Sequence, residues 1–144
     1  MNEPVINLHA TCIAIKQNGI LLLGKSGAGK SDLALRLIEN KNAILVADDR
    51  VDIKKIDNKI FALPPHTIKG LLELRGIGII KVSYLEQCDI KLAVNLVDDI
   101  KQIERMPENK FYEIQQVKIP MIDIYPFEVS ATDKIVIKLK AILE

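Results

Sequence analysis

Residues 20–31, ILLLGKSGAGKS, constrain this chain more than any other stretch. Gly24, Gly29, Lys30 and Ser31 complete the pattern G-x-x-x-x-G-K-[ST], the phosphate-binding P-loop. The context agrees with the letters. Residues 20–23 form an unbroken apolar run that reads as a buried strand. Residues 32–40 read as a helix, with Leu33, Ala34, Leu37 and Ile38 on a helical period. Strand, glycine-rich turn and helix are what phosphate binding demands. Glycines at 24, 27 and 29 permit positive φ and bring backbone N–H groups close to phosphate oxygens. Gly24, Lys25, Ser26, Gly27, Ala28, Gly29, Lys30 and Ser31 are therefore the candidate nucleotide cradle. The helix start adds unpaired N–H groups and a partial positive charge. Lys30 is suited to reach the β- and γ-phosphates, and the Ser31 hydroxyl to hold Mg²⁺. The alternative is a chance glycine turn. With glycine usage near ~7%, these four positions coincide by chance in fewer than about 1% of chains this long, so nucleotide phosphate binding is the expectation.

The 144 residues are enough for one domain with an adequate core, so a single domain over 1–144 is expected. A hydrophobic share of 49% against 27% charged predicts a globular chain. The formal net charge is +1 and no long run of one sign occurs, which argues against a nucleic-acid face built on bulk charge. No signal-peptide core or run of membrane-spanning length appears, so no membrane segment is expected. Cys12 and Cys88 lack metal-type spacing and sit in or beside apolar runs. They read as reduced core residues of a cytoplasmic protein.

Along the chain, 1–7 reads as a short extended arm. Residues 10–16 read as a strand with Cys12 and Ala14 on one face and Thr11, Ile13 and Ile15 on the other. Asn18-Gly19 follows, a strong hairpin signal. The P-loop strand is thus expected to have an antiparallel partner, unlike a plain parallel P-loop ATPase. Residues 43–46 form another buried strand, ending in Asp48-Asp49. Residues 51–55 and 60–63 read as a second hairpin around Asp57-Asn58, broken by Pro64-Pro65. Residues 68–74 fit a short helix or an extended loop, because Gly70 weakens the helix. Gly76 and Gly78 open a turn before a strand at 79–82, and 90–97 is a longer buried strand. Residues 98–110 are polar and loop-like, and 111–114 and 117–119 are short strands. Ser130-Ala131-Thr132-Asp133 is a capping-box pattern that starts a final helix to about residue 143, with Ile135, Leu139 and Ile142 on its buried side. The fold class is strand-rich mixed α/β; a doubly wound sheet would need more helices than the sequence supplies.

Several residues outside the loop are suited to chemistry. Asp48 and Asp49 end an apolar strand soon after the P-loop helix, where an acidic residue holds Mg²⁺ directly or through water. A second carboxylate there can accept the proton of an attacking hydroxyl. Strand neighbours point to opposite sides, so the two take different roles unless the strand has ended. The alternative is a solvated turn. In the stretch 73–78, ELRGIG, Glu73 and Arg75 share one side if extended. Arg75 suits transferring phosphate oxygens and Glu73 a metal shell, though a surface ion pair beside a glycine turn fits equally. His9 opens the strand before the hairpin, which can return it towards the phosphates. Arg105 lies in a polar loop with Lys101 and Glu104, where solvation is the default.

Taken in order, His9-Ala10, GKSGAGKSD (24–32), LVADDRV (45–51) and LLELRGIGIIKV (71–82) resemble the catalytic domain of the HPr kinase/phosphorylase family. These bacterial enzymes act on a serine of the phosphocarrier protein HPr. The resemblance runs from about residue 9 to about residue 107. The P-loop alone is widely shared; ELRGIGII is the more specific part. The resemblance implies a P-loop fold of the phosphoenolpyruvate-carboxykinase-like type, ATP and Mg²⁺ as cofactors, an HPr-type carrier as partner and, for full-length relatives, a hexamer. It places His9 and Lys30 on active-site positions, Ser31 and Glu73 on magnesium ligands, and Asp49 on the proton acceptor. It matches Arg105, within IERMPE, to a catalytic arginine. Two departures stand out. Few residues precede His9, as in a short form that lacks the family's N-terminal domain. Residues 118–131, KIPMIDIYPFEVSA, lack the Pro-Gly-Arg-Asn character of the loop that serves dephosphorylation. The resemblance therefore speaks for a serine kinase more than for the reverse phosphorylase. The alternatives are a small-molecule kinase on the same fold and an ATP-sensing module.

Overall fold

The computed structural model describes residues 4–144, so the first three residues of the predicted arm lie outside the described residues. The strands are β1 (Ile6–Leu8), β2 (Thr11–Ile15), β3 (Asn18–Leu23), β4 (Ile44–Ala47), β5 (Val51–Ile56), β6 (Lys59–Leu63), β7 (Leu71–Leu74), β8 (Gly78–Lys81), β9 (Cys88–Leu96), β10 (Lys110–Ile114) and β11 (Val117–Ile124). The α-helices among the described residues are α1 (Lys30–Lys41) and α2 (Ala131–Leu143). A nine-stranded sheet runs β1-β5-β6-β9-β3-β2-β4, with β11 on β9 and β10 on β11, while β7 and β8 form a separate hairpin. The sheet is mixed. β3 lies between antiparallel β2 and parallel β9, which is the antiparallel partner that the sequence predicts. Among the described residues, no helix is long and apolar enough to cross a membrane.

Both sheet faces are buried, and this explains the unbroken apolar runs. Alternation along β2 sends Ile13 and Ile15 to the face covered by α1, α2 and the β7–β8 hairpin. Cys12 and Ala14 go to the opposite face, with Leu21, Val51, Ile53 and Ile60. Along β3, Ile20 and Leu22 face the helices and Leu21 faces away. A fully buried side chain of this size contributes about 1.5–3 kcal/mol, so two-sided burial is the main force holding β3 and the loop that follows it.

Three local expectations needed correction, and one left open is decided. The β2–β3 hairpin exists, but its turn is Lys16-Gln17 (φ 50° and 71°), not Asn18-Gly19. Asn18 instead donates to the Ile15 and Lys16 carbonyls. Gly19 belongs to β3, where a Cβ would lie 2.6 Å from Cys88 Sγ. At 68–74 the extended option holds: a short 3-10 turn at His66–Ile68 precedes β7. Strand β11 runs on to Ile124 because its second half pairs with β9; Pro120 falls just before that ladder begins, where a missing N–H is tolerated. The capping box at α2 does not form, since the Ser130 hydroxyl donates to Glu128 at 3.2 Å. The helix nevertheless spans the predicted residues.

Cys12 and Cys88 are free and buried, with sulfurs 3.9 Å apart. The hydrogen bond with Cys88 and burial push the Cys12 thiol well above its ordinary range, which makes it an inert core group.

Candidate functional site

The glycine-rich loop joins β3 to α1 at one end of the sheet. Gly27 and Gly29 have φ of 82° and 102°, values that glycine reaches without strain. Gly29 caps α1 without a side-chain hydrogen bond, and the first intrahelical bond runs from the Leu33 N–H to the Gly29 carbonyl at 2.9 Å. The N–H groups of Lys30, Ser31 and Asp32 have no acceptor within the helix, which favours an anion at this end. Lys30 is buried, and its ammonium folds back onto the carbonyls of Gly24 (2.6 Å) and Lys25 (3.0 Å). A positive charge is thus stored within the bend.

Beside the loop, the chain turns sharply between β4 and β5. Asp48, only 7% exposed, is the hub of this corner. Its Oδ1 accepts from the hydroxyls of Ser31 (2.7 Å) and Thr11 (3.1 Å), and its Oδ2 accepts from the Glu73 N–H (3.0 Å). One carboxylate thereby ties β2, α1 and β7 together. A buried charge is tolerable only with such compensation. Thr11 also accepts the Asp49 N–H at 3.0 Å. Asp49 has φ of 68°, and the Arg50 N–H closes onto the Asp48 carbonyl at 2.8 Å. This three-residue turn, of a strained type, separates the two carboxylates. Asp49 Oδ1 lies 2.8 Å from His9 Nε2. The neighbouring aspartates therefore have different partners, and the turn separates them, because β4 has already ended at Ala47.

The structure brings His9, Ser31, Asp48 and Asp49 together, with Glu73 joined through its backbone. Asp48, Asp49, Arg50 and Glu73 line a cleft of about 190 Å³ walled by Ile68, Leu71 and Ile79. Arg75 lies exposed in the β7–β8 turn, just beyond the paired residues Leu74 and Gly78. Arg105 is elsewhere. It lines a groove of about 1020 Å³ between residues 103–111, β11 and α2, whose lining includes none of the corner residues. Thr11 escaped the sequence reading. Its place depends on hairpin register, which the sequence did not disclose: Thr11 pairs with Leu22, which puts it level with the mouth of the loop.

The donor set suits Mg²⁺. Ser31 Oγ and Asp48 Oδ1 are hard oxygen donors, and Glu73 lines the same cleft as Asp48. Among the described residues, no group of three or more His, Cys, Asp or Glu is arranged to hold a metal by itself.

Comparison with known proteins points to one family. The family model of the HPr Serine kinase C-terminal domain matches residues 3–142. The HPr kinase/phosphorylase of Mycoplasmopsis pulmonis is 35% identical over 83% of this chain and 42% of its own length. That of Lactobacillus acidophilus is 36% identical over 94% of this chain and 45% of its own length. The chain thus spans less than half the length of these relatives. The solved Hpr(Ser) kinase/phosphatase from Coxiella burnetii superposes with a TM-score of 0.82 at 25% identity, over 96% of this chain and 97% of that one. With nearly its whole length matched, the chain belongs to the HPr serine kinase C-terminal domain family.

Proposed function

We propose that residues 1–144 act as one P-loop kinase domain of the phosphoenolpyruvate-carboxykinase-like type, transferring the γ-phosphoryl group of ATP to a serine of an HPr-type carrier. The observation that carries this reading is the coupling of loop and corner. Ser31 of the cradle and Asp49 meet through Asp48 and Thr11 within a few hydrogen bonds. The names of the relatives supply the substrate class.

In this mechanism the loop amides and Lys30 hold the nucleotide phosphates, Lys30 leaving the Gly24 and Lys25 carbonyls to do so. Ser31 and Asp48, with help from Glu73, would hold Mg²⁺, which would supply neutralisation of the phosphate charge. Asp49 accepts the serine proton as the hydroxyl oxygen attacks, and His9 orients the Asp49 carboxylate. Arg75, two residues beyond Glu73, is the arginine proposed to steady the transferring group, since Arg105 lines the other groove. Positioning and charge stabilisation supply most of the rate. The kinase direction is preferred to the phosphorylase. In place of a basic loop, the segment after β11 sets Phe127 against the cradle: a Cβ at Gly29 would lie 3.7 Å from its ring.

Incubation with ATP, Mg²⁺ and a purified HPr-type carrier, followed by mass spectrometry, tests the proposal. One added phosphate on a carrier serine is the expected result. ATP binding with an unchanged carrier would point to the sensing module instead, and phosphate on a small acceptor to a small-molecule kinase.

A further inference from the structure

We infer that Thr11 is a positioning residue for phosphoryl transfer: its one hydroxyl fixes the proposed base, Asp49, against the Asp48–Ser31 pair. The inference rests on the kinase reading above and goes beyond it by naming what holds the base in place.

Asp49 adopts a backbone conformation that costs energy, although Asp tolerates it better than most side chains. It sits at φ 68° in a turn closed by the Arg50 N–H, and its carboxylate is largely exposed. Side chains avoid this backbone region unless their surroundings hold them there. Its N–H donates to the Thr11 hydroxyl, 38 residues away in sequence. The same oxygen donates to Asp48 Oδ1, so both functions of one hydroxyl are used. Thr11 itself is wholly buried on β2, a strand clamped between β3 and β4. Its β-branched side chain has few rotamers, so the oxygen is held nearly as firmly as a backbone atom.

The two bonds differ in consequence. Without the hydroxyl, Asp48 still accepts from Ser31 and Glu73. The Asp49 N–H loses its acceptor. The defect therefore falls on the base and spares the nucleotide cradle, which sets this role apart from simple core packing.

Thr11→Val and Thr11→Ser test the idea in the full chain. In Thr11→Val, kcat for carrier phosphorylation should fall by about 10- to 100-fold, the usual cost of displacing a reacting group by around an ångström. Affinity for a fluorescent ATP analogue should hold, and Thr11→Ser should recover most of kcat. Backbone amide exchange at Asp49 gives a readout that needs no activity: slow in the wild type and in Thr11→Ser, fast in Thr11→Val. Thr11→Ala replaces the valine variant if the added methyl prevents folding. Unchanged kcat, an equal loss in Thr11→Ser, a parallel loss of nucleotide affinity, or Asp49 exchange that is slow in every variant would each overturn the inference. A wild-type protein that modifies no carrier overturns the kinase reading instead, and amide exchange then still decides whether Thr11 holds Asp49.

Discussion

The glycine-rich loop and the acidic corner both require left-handed backbone, and they obtain it in opposite ways. The loop uses Gly27 and Gly29, at φ 82° and 102°, where glycine costs nothing sterically. The corner uses Asp49 at 68°, where glycine would have been easier. A carboxylate stands where glycine would be less strained, and partners from distant segments hold it: Thr11 on the backbone and His9 on the side chain. The loop is thus shaped by its own sequence, the corner by the rest of the fold. A local motif of this kind suits a site for a shared ligand such as nucleotide phosphate. A side chain retained against its backbone preference suits a chemical step.

If that division holds, variants in the two regions should separate binding from transfer. Asp49→Asn keeps the size of the side chain but removes the base. Carrier phosphorylation should fall by about 10²- to 10⁴-fold, the usual contribution of a general base, with ATP affinity near that of the wild type. Single-turnover transfer alongside equilibrium nucleotide binding measures both quantities. Wild-type transfer in Asp49→Asn would remove the chemical half of the comparison. Lys30→Ala strikes the loop. It should lower turnover by about 10²- to 10³-fold, comparable to losing one charge-stabilising donor, and should weaken ATP binding as well. Retained ATP affinity in that variant would mean that Lys30 remains on the Gly24 and Lys25 carbonyls when nucleotide binds.

The same division explains what the sequence disclosed. The loop was legible because eight adjacent residues carry it, and the alternation of Cys12 and Ala14 against Ile13 and Ile15 was legible because both sheet faces are buried. The β5–β6 turn was legible too, since Asp57-Asn58 has the composition that positive φ favours. Lys16-Gln17 and Gln115-Gln116 adopt the same backbone signs with residues that do not advertise it. At those turns, strand pairing overrides local preference. Thr11 and the Asp48–Glu73 bond were illegible for a related reason. They depend on the register of β2 against β3 and on where the β7–β8 hairpin packs, neither of which is written in any short window. The place of Arg105 was illegible too, because a polar loop of this length does not disclose the groove it borders.

A smaller effect sharpens the backbone side of the comparison. Gly27→Ala introduces a methyl that meets nothing within 4 Å, so only the φ of 82° opposes it. The expected loss is about 1–2 kcal/mol of folding stability, the cost of a left-handed L-residue, read from the urea midpoint at constant slope. Unchanged stability would show that the loop relaxes to another backbone shape, and the claim that its own sequence sets its geometry would fail.

Asp123 provides the mildest test, because it repeats the corner's construction where no reaction is proposed. Like Asp48, it is a carboxylate held by residues distant in sequence: Asn95 donates to Oδ1 at 3.0 Å and Lys110 to Oδ2 at 2.7 Å. Burial raises its pKa, but the Lys110 and Asn95 hydrogen bonds outweigh that and leave it below its ordinary value. A depressed folded-state pKa stabilises the protein above the unfolded value of about 4, and the contribution is lost as pH falls through the folded value. Asp123→Asn should therefore be less stable than the wild type near neutrality, with the gap closing below about pH 4. Urea midpoints of both proteins across the acid range measure it. Carrier phosphorylation at neutral pH should be unaffected. A constant gap at all pH values would mean that Asp123 acts by packing rather than by charge. A loss of transfer without a loss of stability would extend the functional region across β9, and the contrast between a scaffold carboxylate and a catalytic one would no longer stand.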